Sequence, residues 1–182
     1  MSIVYQVKTS CFLSTHQLEA IYLYDPHTTV SGTKESVSGT NTTSQKPGDL
    51  VITKNGVISN IFEVTLKVVD TKRLSDSYDV LAEQGYLDTP ITFLCRIPQD
   101  TASLSEITYS PKMISGFIKE QNHHFNFVDI ESFICSQIAV LNKAQITYLL
   151  ANLTEFISEY DRPLKTRDIW NEHFPTEIID NQ

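Results

Sequence analysis

The chain has 182 residues, enough for one domain or for a compact core with a helical extension. It carries 14 basic and 22 acidic side chains, and the formal net charge of −8 argues against a general nucleic-acid coat protein while leaving room for an enzyme with one locally basic face. Hydrophobic residues make up 41% of the chain, with only 6 glycines and 7 prolines, which excludes collagen-like, low-complexity and wholly disordered proteins.

Cysteine usage and hydropathy indicate the compartment. Cys11, Cys95 and Cys135 are far apart and form no Cys-x-x-Cys pair, so we expect free thiols in a cytoplasmic protein, not a disulfide framework or a zinc ribbon. No apolar run approaches the roughly 18 residues of a membrane-spanning helix, and we expect no membrane partner. Residues 1–8 lack the basic and apolar regions of a signal peptide.

The first predicted elements are a strand, a helix and a long loop. Apolar residues alternate over residues 3–8, which indicates a strand. A short helix over 14–24 follows, with Ser14 or Thr15 as the candidate N-cap. Residues 27–47 are rich in Ser, Thr and Gly, and we expect a polar loop that either stays solvated or becomes ordered on a polyanion.

Residues 48–69 give the strongest pattern in the chain. Two β-rich runs flank Lys54-Asn55-Gly56, which predicts a hairpin. One face of this hairpin is almost wholly apolar and should be buried. The other face carries two acids, a hydroxyl and an amine near the open end: Asp49, Glu63, Thr65 and Lys67.

Whether the two acids meet depends on the turn. A two-residue turn at Asn55-Gly56 puts Asp49 opposite Phe62 and on the face away from Glu63. A three-residue turn puts the two carboxylates on the same face. The acids therefore meet only if the loop is odd or if a bulge lies beside Asp49.

Such a pair of carboxylates suits a hard divalent cation. Mg²⁺ or Mn²⁺ takes oxygen ligands and, held against a phosphodiester, polarises a phosphoryl oxygen and generates a hydroxide nucleophile. A neighbouring amine can stabilise the negative charge of the transition state. A carboxylate pair of this kind is therefore suited to phosphodiester hydrolysis.

The same residues resemble a known family. Pro47-Gly48-Asp49 before the hairpin and Glu63-Val64-Thr65-Leu66-Lys67 within it are similar to the bipartite motif of the PD-(D/E)xK nucleases, which include many type II restriction endonucleases. The resemblance covers roughly residues 15–97, with the order helix, hairpin, helix, strand. It implies that Asp49 and Glu63 bind the metal.

The match departs from the family pattern at the lysine. The position two residues after the glutamate, usually lysine, is Thr65, so either Lys67 reaches back along its strand or Thr65 takes the role. Gly48 also stands between the proline and the acid. Glu19 on the first helix is a candidate for the additional acid that some members use.

The remaining segments complete the expected fold. Residues 70–84 predict a helix that ends at Gly85, and residues 91–97 predict a buried strand. His123-His124 is interpreted as a solvated turn. Beyond Pro98 the pattern predicts helices at three places, followed by a final turn around Trp170: 111–121, 130–141 and 144–160.

We therefore expect an α/β fold with a mixed, restriction-endonuclease-like sheet over residues 1–98 and a helical extension over 110–182. The expected function is a metal-dependent DNA endonuclease, a homodimer if both strands are cut at a palindrome. The alternative is a non-catalytic protein- or DNA-binding module with a nuclease-like fold, which the net charge favours. The candidate contacts to double-stranded DNA are Lys34, Lys46, Lys54 and Arg73.

Overall fold

The computed structural model describes residues 3–32, 47–105, 107–109, 115–120, 123–158 and 164–173. The elements in these ranges are, in chain order, α1 (Ile3–Ile21), β1 (Thr28–Ser31), β2 (Leu50–Lys54), β3 (Val57–Val64), α2 (Thr71–Gln84), β4 (Ile91–Cys95), β5 (Thr108–Tyr109), β6 (Ser115–Glu120), β7 (His123–Asp129), α3 (Ile130–Ile138), α4 (Lys143–Ser158) and α5 (Leu164–His173). None of the described helices is both long and apolar enough to cross a membrane.

The strands form one mixed sheet in the order β1-β2-β3-β4-β7-β6-β5. β4 is parallel to β3 on one side and to β7 on the other, whereas the remaining neighbours are antiparallel. Helix α2 connects β3 to β4 along the chain. The α/β class predicted from the sequence is confirmed, and so is the buried strand predicted at 91–97, which ends at Cys95.

Side chains from the two faces of the sheet form two hydrophobic clusters. The α2 face packs with Leu74 and Leu81 of α2 and contains Ile61, Val69, Ile91, Phe93, Cys95, Leu104, Phe125 and Phe127. The α1 face packs with Leu18 of α1 and Ile130 of α3 and contains Leu50, Ile52, Phe62, Val64, Leu66 and Leu94. Because side chains alternate along a strand, Glu63 lies on the α2 face with Ile61.

The N-terminal prediction was wrong. Residues 3–8, expected as a strand, belong to α1, and Ser14 and Thr15 lie inside that helix instead of capping it. The Thr15 hydroxyl donates to the Cys11 carbonyl oxygen one turn earlier, at 2.9 Å. Packing explains the helix: α1 is covered by α4, where Phe12 stacks on Phe156 with 3.6 Å between ring centroids.

The polar loop expected over residues 27–47 was wrong in its first part. Residues 28–31 form β1, which pairs with β2 through Thr28 and Lys54 at one end and Ser31 and Val51 at the other. Threonine and valine favour strands, which explains why residues 28–31 form the edge strand β1. Residues 33–46, with Lys34 and Lys46, lie outside the described residues.

The helix predicted at 70–84 is confirmed as α2. Its N-cap is Asp70, whose carboxylate accepts from the Arg73 N–H at 2.9 Å. Gly85 ends the helix in the left-handed conformation with φ of 76°.

The helical half predicted over 110–182 was wrong in its first part. Residues 115–120, expected within a helix, form β6, and the His123-His124 turn is the start of β7. β7 lies beside β4 in the middle of the sheet, so the sheet continues past residue 98 and the helical part starts only at Ile130. The helices predicted at 130–141 and 144–160 are confirmed as α3 and α4, and the final turn near Trp170 is helix α5.

Candidate active site

The β2–β3 hairpin has the two-residue turn that, alone, would separate the two acids. Asn55 and Gly56 both have positive φ, 51° and 79°, as a type I′ turn requires. Lys54 consequently pairs with Val57. Carried along the strands without interruption, this register would put Asp49 on the α1 face.

A bulge in β3 corrects the register. Thr53 pairs with Ile58, but its neighbour Ile52 pairs with Asn60, which leaves Ser59 as the extra residue. The Ser59 hydroxyl donates to the Ile52 carbonyl oxygen at 3.2 Å and so bonds the bulge to β2. The bulge that the sequence argument required is therefore present, but near the turn and not beside Asp49.

Beyond the bulge, the register brings the two carboxylates together. Leu50 pairs with Phe62, and the next position along places Asp49 opposite Glu63 on the α2 face. The Asp49 carboxylate accepts a hydrogen bond from the Val64 N–H at 2.9 Å, which ties it to the end of β3.

Gly48 allows this close approach of the chain to β3. A Cβ atom at position 48 would lie 2.6 Å from the Ile61 Cγ2 atom and 2.9 Å from the Phe62 carbonyl oxygen. The Phe62 oxygen belongs to the backbone, so a side chain at position 48 would displace the chain. The glycine between Pro47 and Asp49 is thus a packing requirement of the site.

Both carboxylates are held in a low-dielectric environment. Glu63 is 4% exposed; burial, with the nearby charge of Asp49, raises the pKa of Glu63 to about 8, against the opposing effect of Arg73. Burial also raises the pKa of Asp49, while the Val64 N–H bond and Arg73 act in the opposite direction. The pair would gain from a further cation, which would offset the cost of two buried negative charges.

The two lysine-role candidates follow the end of β3. The strand ends at Val64, and the Thr65 N–H still donates to the Leu94 carbonyl oxygen of β4 at 3.0 Å. Thr65 is buried, and its hydroxyl accepts from the Lys67 N–H at 3.2 Å. The Lys67 side chain is exposed.

Arg96 binds the segment that follows β3. Its Nη2 atom donates to the Leu66 carbonyl oxygen at 2.7 Å, and its guanidinium group also binds the buried carboxylate of Asp100 through Nε and Nη2 at 2.9 and 2.7 Å. These hydrogen bonds join the segment after β3 to the segment after β4.

The cation that the structure brings to Glu63 is Arg73, which the sequence analysis assigned only to DNA contact. Its Nη2 atom lies 3.6 Å from Glu63 Oε2, and its guanidinium carbon lies 5.9 Å from the centroid of the Phe93 ring. The sequence contains one signal for a tertiary contact of Arg73. Its positive side chain lies in the first turn of a helix, where it opposes the helix dipole.

Two other predicted residues lie elsewhere. Lys54 is at the hairpin turn, with its ammonium group 5.4 Å from the centroid of the Tyr22 ring, and about 17 Å of strand separates it from Asp49. Glu19 lies between helices: it is 2.6 Å from His16 Nδ1 and accepts from the Tyr148 hydroxyl at 3.2 Å. These contacts place neither Lys54 nor Glu19 beside the two carboxylates.

The donor set fits a hard cation that retains water. Within the described part of the chain, no group of three or more His, Cys, Asp or Glu side chains is arranged to hold a metal ion. Mg²⁺ commonly binds proteins through only one or two carboxylates, which Asp49 and Glu63 could supply.

No protein-family model and no curated protein matches the chain.

Proposed function

We propose that the protein is a metal-dependent endodeoxyribonuclease that hydrolyses phosphodiester bonds of double-stranded DNA. Asp49 and Glu63 would bind Mg²⁺ or Mn²⁺. The observation that supports this most is the bulge at Ser59, which places the two carboxylates opposite each other although the tight turn would separate them. A bulge that re-aims one side chain is a common device next to active sites.

The local order of elements supports the same proposal. After helix α1 and the short edge strand β1, the β2–β3 hairpin, helix α2 and strand β4 follow in the order expected for a restriction-endonuclease-like core. This finer fold is part of the proposal. A two-fold dimer would bring one such site to each strand of a palindrome.

The chain's own groups would perform defined tasks in the reaction. The Val64 N–H orients the Asp49 carboxylate, and the walls of the α2 face exclude bulk water from Glu63. The divalent ion, when bound, supplies the Lewis acid that activates water and the phosphoryl group. The low dielectric strengthens each of these interactions.

Cleavage of DNA tests the proposal. We expect the wild-type protein to cut plasmid and phage DNA with Mg²⁺ or Mn²⁺ but not with EDTA. Asp49→Asn should lower the rate by about 10³-fold or more, because one of two charged ligands is lost. Glu83→Gln, at an exposed carboxylate of α2, is the matched control and should cut normally.

Two results would contradict the proposal. Wild-type protein that leaves DNA intact with both ions would refute the nuclease, and intact DNA that is nevertheless bound would favour the non-catalytic DNA-binding module. Metal-dependent cutting that survives in Asp49→Asn, with folding checked by circular dichroism, would assign the active site to other residues.

A further inference from the structure

The proposed active site needs a positive charge beside its carboxylates. Hydrolysis of a phosphodiester builds negative charge on the phosphoryl oxygens, and a fixed cation lowers the barrier by stabilising it. Thr65 carries a neutral hydroxyl, and Lys67 lies three residues beyond the end of β3 with an exposed side chain. The cationic side chain with a printed contact to Glu63 is Arg73.

Arg73 reaches the site from the other layer of the fold. It lies in the first turn of α2, and its Nη2 atom is 3.6 Å from Glu63 Oε2. The guanidinium group lies over the ring of Phe93, the residue of β4 that pairs with Glu63 of β3. Phe93 and Glu63 thus hold the group on one side.

The same side chain is still open to solvent. It is 32% exposed, whereas the Glu63 side chain is 5% exposed. A guanidinium group has five N–H donors in a planar fork, and the long contact to Glu63 uses few of them. The remaining donors match two oxygens of a phosphate.

The position of Arg73 is unfavourable for the helix alone. α2 has no acidic residue in its first turn, which instead contains Lys72 and Arg73. Positive side chains near a helix N-terminus oppose the helix dipole. A residue that opposes its local structure is expected where function requires it.

We infer that Arg73 is the catalytic cation of this site and binds a non-bridging oxygen of the scissile phosphodiester; the inference rests on the proposed nuclease function. Hydrolysis forms a P–O bond to the oxygen of water and breaks the P–O bond to a sugar oxygen. One water proton ends on the released sugar hydroxyl, and the other stays with the phosphomonoester or passes to solvent. Arg73 stabilises the charge on the phosphoryl oxygen and transfers no proton.

Three substitutions at Arg73 and one at its neighbour test the inference. Arg73→Gln should lower kcat at saturating DNA by about 10²–10³-fold, and Arg73→Lys should retain an intermediate rate. Added guanidinium ion, below concentrations that unfold the protein, should restore part of the activity of Arg73→Ala. Lys72→Gln, which removes an exposed ammonium group paired with Asp76, should change KM and its salt dependence but not kcat.

The outcomes separate the inference from the proposed function. If wild-type protein cuts DNA and Arg73→Gln has the same kcat, the role of Arg73 is overturned and the nuclease stands. Equal losses in Arg73→Gln and Lys72→Gln would also overturn it, because general charge would explain both. If wild-type protein does not cut, the proposed function fails and this inference fails with it.

Discussion

The Glu63→Gln variant is expected to unfold at a higher temperature than the wild-type protein at pH 8 without divalent ions, and the difference should shrink towards pH 5. Burial and the charge of Asp49 raise the pKa of Glu63 to about 8 in the folded protein. In the unfolded chain the carboxyl group returns to its ordinary pKa near 4.3.

The sign follows from proton binding. Between about pH 4.3 and pH 8 the folded protein holds the Glu63 proton more tightly than the unfolded chain does, so folding is favoured at the low end of this range. The stability contributed by the protonated group is complete below the unfolded pKa and is lost as the pH rises through the folded pKa. Glutamine does not titrate, so the Glu63→Gln variant does not lose this stability as the pH rises. At pH 8 its free energy of unfolding should exceed that of the wild-type protein by a few kcal/mol in order of magnitude.

Thermal or urea unfolding at pH 5, 6.5 and 8 in EDTA measures this difference. Glu83→Gln, which changes an exposed carboxylate of α2, should follow the wild-type protein at each pH. A Glu63→Gln effect that is the same at all three pH values would show that the carboxylate is not held in a desolvated environment.

Phe93→Ala is expected to destabilise the protein by about 3–5 kcal/mol. Phe93 is fully buried on β4 beside two rings of β7, with its centroid 5.5 Å from that of Phe127 and 6.2 Å from that of Phe125. Alanine would leave a cavity in the α2 face and would also remove the ring beneath Arg73.

Urea unfolding of Phe93→Ala and Phe93→Leu measures this contribution. Leucine fills much of the space, so Phe93→Leu should lose less than half as much stability as Phe93→Ala. A loss below about 1 kcal/mol in Phe93→Ala would contradict the packing that supports Arg73 and the adjacent Glu63.

Local signals in the sequence predicted the elements that depend on neighbouring residues. Gly85 was predicted to end α2, and Lys54-Asn55-Gly56 to close a hairpin, because helix ends and turns are determined within a few residues. β4 was also predictable from its continuous apolar run.

Elements that depend on distant contacts were not predictable in the same way. β7 owes its central place to pairing with β4, with Ile91 opposite Phe125, and nothing in the local pattern shows that partner. Residues 3–8 alternate like a strand, yet they belong to α1, whose Phe12 packs on α4. Tertiary packing overrides a short periodic pattern in such cases.

The candidate site likewise combines features with a local signal in the sequence and features that depend on distant contacts. Asp49 and Glu63 carried a recognisable spacing, but their meeting depends on the extra residue at Ser59, for which the sequence offers no turn or glycine signal. The hydrogen bond from Arg96 to Leu66, which joins segments far apart in the chain, was not predictable from the local pattern. Arg73 reaches Glu63 only through the packing of α2 on the sheet.

The most direct test of the central claim is the binding of Mn²⁺ to the metal-free protein, measured at pH 8 by the electron paramagnetic resonance signal of the free ion. The wild-type protein and Glu83→Gln should remove Mn²⁺ from solution with saturable stoichiometry, and the double variant Asp49→Asn/Glu63→Gln should not, because no charged ligand of the pair remains. Equal binding by the double variant, or no binding by the wild-type protein with or without DNA, would contradict the assignment of these two carboxylates as the metal site.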